Sequence, residues 1–196
     1  MRARRTAVAV AALWWGALLA PPAWAGEPAE QLLASIDRVL KILDNAELKQ
    51  PARAQERRET IGRSVDDILD FEELAHRSLA RHWEARTPAE RAEFVQLFRE
   101  FLERLLISKL DPYHGEKVVL VGDALDGDEA TVKTLVAAKL GAIPVDFLMV
   151  RRGDRWRAGD VVISGLSLVR NFRGQFDKVI KRGSYQQLVK QVREKQ

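Results

Sequence analysis

Apolar side chains recur first with a helical period, then every second residue, then with a helical period again. Leu32, Leu33, Ile36, Val39, Leu40 and Leu43 fall on one side of a first helix, after a loose start at Gly26–Glu30, and Asp44–Asn45 punctuate it. From Pro51 to Leu69 charge dominates, and Ile61, Val65, Ile68 and Leu69 are the consistent apolar face of a surface helix. Phe71, Leu74 and Leu79 continue in short helical pieces toward His82–Trp83. Thr87-Pro-Ala-Glu90 is a helix start: Thr87 can cap, Pro88 suits the first helical position, and Glu90 can reach back to the Thr87 amide. The helix it opens should run to about Leu110. Phe94, Phe98, Phe101 and Leu105 form its stripe, widened by Val95, Leu102 and Leu106, a width that implies burial on more than one side.

At Asp111–Pro112 the period changes to two. Strands are expected at Lys117–Val121, Ala130–Ala138, Ile143–Arg151 and Arg155–Ile163, with turns at Asp126–Gly127 and Gly153–Asp154. Val132, Thr134, Val136 and Ala138 share one face of the second strand. Ile143, Val145, Phe147 and Met149 share one face of the third, with Pro144 and Asp146 opposite. Ser164–Gly165 breaks the fourth strand and leads straight into a helix, where Ser167 is the N-cap and Leu168, Phe172, Phe176 and Ile180 form the inner face. Gly183 stops it, and Ser184 caps a last helix with Tyr185, Leu188, Val189 and Val192 inside. Short turns make the sheet an antiparallel meander. The class is therefore α+β, a four-stranded antiparallel sheet packed against a layer of helices. Periodicity does not distinguish a filled core between those layers from a lined cavity.

Composition changes the picture mainly through the N-terminus. Met1–Arg5 carries three arginines, Thr6–Ala20 is small and apolar, and Ala23-Trp-Ala25 follows Pro21–Pro22. This is the pattern of a cleaved export signal over residues 1–25, leaving 26–196 as one domain. Removing Arg2, Arg4 and Arg5 from the 32 basic residues leaves 29 against 28 acidic, so the net charge of +4 belongs largely to the leader. No basic stripe with interleaved aromatics points to nucleic acid. The chain has no cysteine, which removes disulfides, thiolate chemistry and a lipoprotein anchor, and suits the periplasm.

Catalytic motifs are incomplete. His76, His82 and His114 lack metal-ligand spacing. Gly165-Leu-Ser167 sits between strand and helix like a hydrolase nucleophile, but Val169 stands where a second glycine is needed and every histidine lies upstream. Asp146 and Asp160, both on strands, could act as an acid or base in a cone-shaped fold on a small apolar substrate. The alternatives are a plain interaction module with a filled core, or a protein that holds a hydrocarbon ligand on its apolar faces.

Several stretches appear in a telling order: Thr87–Phe94 with Leu97–Phe98, Tyr113–Glu116, Ile143–Phe147, Trp156, Asp160-Val-Val-Ile163, Gly165–Val169 and Asn171–Phe176. Together they resemble the MlaC, or toluene-tolerance, family, over nearly all of the chain from about Ile36. The resemblance implies a periplasmic carrier, a monomer without cofactor, metal or covalent chemistry. It would move glycerophospholipid between an outer-membrane lipoprotein–porin complex and an inner-membrane ABC complex, with the tails in an apolar cavity between sheet and helices. A hopanoid-associated branch makes another lipid class an alternative. The side chains expected to line the cavity are Phe98, Phe101, Leu105, Val132, Val136, Val145, Phe147, Met149, Val161, Ile163, Leu168, Phe172 and Phe176. Phe172 stands where the family commonly has Tyr, and Ser164 where it commonly has Glu.

Overall fold

The structure is a computed structural model that describes residues 26–110, 113–138 and 141–194. The expected leader and the Asp111–Pro112 break lie outside the described residues. Helices α1 (Glu27–Asp44), α2 (Ala54–Asp66), α3 (Phe71–Leu79) and α4 (Pro88–Leu110) precede strands β1 (Lys117–Asp126), β2 (Glu129–Ala138), β3 (Gly141–Arg152), β4 (Arg155–Ile163) and β5 (Leu166–Ser167). Helices α5 (Leu168–Arg182) and α6 (Tyr185–Glu194) close the chain.

The sheet has five strands in the order β1-β2-β3-β4-β5, every neighbour antiparallel, so the expected four-stranded meander gains a short fifth strand. The extra strand exists because Ser164 (φ 50°) and Gly165 (φ 80°) both adopt left-handed backbone. Two such residues make the two-residue turn whose twist matches a hairpin, so Leu166 folds back to pair with Ile163 instead of entering the helix. Strand β1 also runs five residues past Val121, because a bulge between Leu120 and Gly122 shifts the register and hides the later residues from a simple alternation.

Helical starts follow their capping chemistry. The Thr87 hydroxyl accepts from the Glu90 amide at 3.2 Å, while the Glu90 carboxylate accepts from the Thr87 amide at 2.9 Å. Ser184 accepts from the Gln187 amide at 3.1 Å to start α6. The loose start expected at Gly26–Glu30 is instead the first turn of α1, with Pro28 and Ala29 buried. Pro28 has no N–H to lose in the first turn, and the Gly26 amide donates to Asp123 of β1 at 3.0 Å.

Helix α1 lies across the sheet, against β1, β2 and β4, and α5 rests on β4 and α3. Helix α4 packs on α2, α3 and α6, and its Phe94 and Phe98 meet Phe172 and Phe176 of α5 edge-on, with ring centroids 5.1–5.6 Å apart. These four rings are the centre of the helical layer. The hydroxyl of a tyrosine at position 172 would need a partner in this apolar setting, and phenylalanine needs none.

The free side of β4 is shared by two partners. Its far end pairs with β5, and its near end with the segment before α3, where the Asp70 amide donates to Ala158 at 3.0 Å and the Ala158 amide donates to Ile68 at 2.7 Å. Gly159 sits at the register shift between these regions, and a Cβ there would come 2.8 Å from Glu73 Cγ. Between the two pairings stands Asp160, 6% exposed. Its carboxylate accepts from the Val161 amide at 2.8 Å, the Val169 amide at 3.0 Å and the Ser167 hydroxyl at 2.6 Å. Ser167 in turn accepts from the Arg170 amide at 2.9 Å as the N-cap of α5.

Asp160→Ala should therefore cost roughly 2–4 kcal/mol in urea unfolding, because two amides, that of Val169 buried, and a hydroxyl lose a charged acceptor at once. Ser167→Ala should cost about 1 kcal/mol. Equal, near-zero effects of the two changes would contradict this account.

Candidate apolar binding site

The sheet registers align the inner face into four rows. The first joins Leu125, Ala130, Met149 and Ala158, and the second Asp123, Val132, Phe147 and Val161. The third runs through Leu120, Thr134, Val145, Ile163 and Leu166 of all five strands, and the fourth through Val118, Val136 and Ile143. Across β2, β3 and β4 burial falls from row to row, whereas Leu125 on the edge strand β1 is 61% exposed. Ala130, Met149, Ala158 and Val132 are buried, Phe147, Val161, Val145, Leu120, Val118 and Val136 are half-buried, and Ile143, Ile163 and Leu166 are 40%, 47% and 76% exposed. Two polar groups stand in the rows: Asp123, which accepts from the Gly26 amide at 3.0 Å, and the buried Thr134, whose hydroxyl donates to the Val145 carbonyl at 2.7 Å. Thr134 adds no unsatisfied polarity to the wall.

Helix α4 repeats this gradient along its length. Phe94, Leu97, Phe98 and Leu102 are buried, whereas Phe101, Leu105, Leu106, Ile107 and Leu110 are half-buried against the same core. Phe101 meets Phe172 edge-on with centroids 5.7 Å apart, which ties the start of the half-buried stretch to the aromatic centre. Leu168, the first residue of α5, is also half-buried. The interior is thus closed at the end held by α1 and the rings, and apolar but incompletely covered at the other.

The thirteen residues expected to line a cavity divide along this gradient. Phe98, Val132, Met149, Phe172 and Phe176 are buried in protein contacts, each at most 6% exposed. Phe101, Leu105, Val136, Val145, Phe147, Val161 and Leu168 occupy the half-buried zone, and Ile163 stands at its rim. Sequence reasoning passed over Val118, Leu120 and Leu166, which the registers place in the same rows. Alternation in β1 and the hairpin geometry at Ser164–Gly165 were the signals that would have found them.

Polar chemistry in this region is structural. Asp160 uses its carboxylate to hold the β4–α5 junction, so the candidate acid or base is a staple. Asp146 lies on the opposite face of β3 from Val145 and Phe147. Ser167 caps a helix. Among the described residues, no three His, Asp or Glu gather as they would around a metal ion. A groove of about 560 Å³ between α2 and α4 has walls built from Arg58, Arg63, Arg99 and Arg104 and three glutamates, a lining unsuited to hydrocarbon.

The sequence model of the family described as MlaC protein matches residues 34–194. The chain belongs to the MlaC family. The toluene tolerance protein Ttg2D of Pseudomonas putida is 22% identical to it over 127 residues, 63% of this chain and 59% of that relative's length. The match therefore spans less than two thirds of the curated relative. A phospholipid-binding protein from Ralstonia solanacearum, solved in complex with a phospholipid, superposes with a TM-score of 0.77 at 22% identity, covering 87% of this chain and 97% of that one. At that identity the superposition shows a shared α+β fold.

Charges fasten the helices of this MlaC-family chain around the apolar interior. Asp177 of α5 accepts from Lys181 at 2.9 Å, lies 2.9 Å from His82 Nε2 and pairs with Arg81. The Lys181, His82 and Arg81 contacts hold its carboxyl well below the usual carboxylate range. Burial alone would raise the Glu73 carboxyl, but hydrogen bonds from Arg77 and Arg152 leave it below its ordinary value. A carboxylate depressed in the folded state contributes stability above its unfolded pKa and loses it as pH falls through the folded one. Asp177→Asn should hence lower the urea midpoint at neutral pH and reduce its fall on acidification below about pH 4, the ordinary carboxylate range. Parallel acid limbs for the variant and the parent would refute the linkage.

Proposed function

We propose that this chain is a periplasmic phospholipid carrier whose export signal occupies residues 1–25, and that acyl tails lie in the half-buried zone between the sheet and helices α4 and α5. The observation that carries this reading is the joint gradient: across β2–β4 the sheet rows, and along its length α4, pass from buried to half-buried while remaining largely apolar. A core that only had to fold would turn polar where its cover ends. Each methylene left in water costs about 0.8 kcal/mol, so tails that cross an aqueous compartment need such a sleeve along most of their length.

Membership of the MlaC family supports the reading, as does a shared fold with a protein solved with phospholipid bound. No helix among the described residues is long and apolar enough to cross a membrane. The partners on this reading are an outer-membrane lipoprotein–porin complex and an inner-membrane ABC complex. Exchange is noncovalent and needs no cofactor. The nearly balanced charge of the chain without its leader suits a shuttle, because strong basicity would hold it on anionic membrane surfaces. An acid–base enzyme is the weaker reading, since Asp160 is already engaged by three donors.

Gently purified protein examined by native mass spectrometry should carry phospholipid mass, released and identified on extraction. Val145→Trp, which fills the half-buried zone, should lower that occupancy about tenfold or more while changing stability by less than roughly 2 kcal/mol. A clean ligand-free mass, with no uptake from phospholipid vesicles, would sink the carrier. A hopanoid in the extract would change the ligand class and keep the sleeve.

A further inference from the structure

The β4–β5 hairpin tip projects beyond the half-buried zone. Ile163 and Leu166 pair across the two-residue turn, and Ile163 pairs with Val145 on its other side, so the three belong to one row of the inner face. Exposure rises along that row, from the half-buried Val145 to 47% at Ile163 and 76% at Leu166. The apolar wall therefore continues outward, residue by residue, into increasingly exposed positions. We propose that this row is a ramp over which an acyl chain travels between a bilayer surface and the sleeve. The proposal rests on the carrier reading and adds the route by which the tail comes in.

Three features point to an acyl chain as the occupant. The row is continuous with the proposed tail site, so a chain moving along it never leaves apolar contact. The tip is held rigidly: left-handed Ser164 and Gly165 fix the turn, the Ser164 amide donates to Pro144 at 2.9 Å, and the Ser167 hydroxyl is bound by Asp160. Finally, fold stability does not call for the side chain at 166. Among the described residues Leu166 is the most exposed of the large apolar side chains, and a serine there would leave no cavity. An exposed apolar side chain at the end of an apolar track lowers the barrier to transfer without contributing to the bound state.

A rate-against-capacity split tests this. Full-length mature protein would take a fluorescent-tailed phosphatidylethanolamine from protein-free vesicles of phosphatidylethanolamine and phosphatidylglycerol. Leu166→Ser and Ile163→Ser should each slow transfer at least about fivefold, with equilibrium loading within about twofold of the parent. Leu166→Met should restore the rate, and Val119→Ser, on the other face of the sheet, should leave it unchanged. Urea midpoints accompany each variant, so that a folding defect is seen directly. Parental rates in both serine variants would overturn the ramp and assign the tip to a protein partner. A parallel loss of rate and loading in well-folded variants would also overturn it, making the tip part of the wall that holds the lipid. Failure of the parent itself to load would overturn the carrier reading, and is seen before any variant is compared.

Discussion

The Asp160 carboxylate joins what would otherwise be three independent pieces. By holding the Val161 amide, the Ser167 hydroxyl and the Val169 amide, it ties strand β4, the short strand β5 and the first turn of α5 to one buried charge. The angle at which α5 leaves the sheet then determines where Phe172 and Phe176 meet Phe94 and Phe98, and so where the helical layer closes. Burying a carboxylate costs several kcal/mol unless donors surround it, and here three do. The same contacts leave β5 short, which is why the sheet ends in a projecting tip.

Coverage on one side is set by the lengths of the elements. Helix α1 reaches β1, β2 and β4 near the turn between the first two strands, and its start is pinned there by the Gly26–Asp123 bond. At the opposite ends of the strands the apolar rows outrun the helices. On the carrier reading proposed above, one apolar face divides two tasks: the buried rows and rings hold the fold, and the half-buried rows would receive a guest. The ion pairs of Asp177 with Arg81 and of Glu73 with Arg152 tie α5 to the segment that follows α3, and α3 to the sheet.

Much of this was legible in the residues. The Thr87–Glu90 capping box, the Ser167 and Ser184 caps, and the turn at Gly153–Asp154 act through local chemistry and appear as read, while the first hairpin turns at Gly127–Asp128, one residue later than expected. Depth was not legible. Phe98 and Phe101 share a stripe, and Val132 and Val136 share a face, yet in each pair one residue is buried and the other half-covered. A period reports direction around an element, whereas coverage depends on partners remote in sequence. Asp160 illustrates the same limit: a lone carboxylate on an apolar strand looked like chemistry until its donors, up to nine residues away, were brought to it. The start of α1 was misread because its burial comes from Asp123, far along the chain.

Strand β1 carries a further consequence. Among the described residues it pairs only with β2, and it shows Val119 and Val121 to solvent, more than half exposed, along an open row of backbone donors and acceptors. A flat edge of that composition would template pairing with other chains. The bulge at Val121 breaks the spacing such a template needs and increases the local twist. One irregular residue thus lets the molecule keep an apolar strand at its margin without offering a flat edge for other chains to pair with.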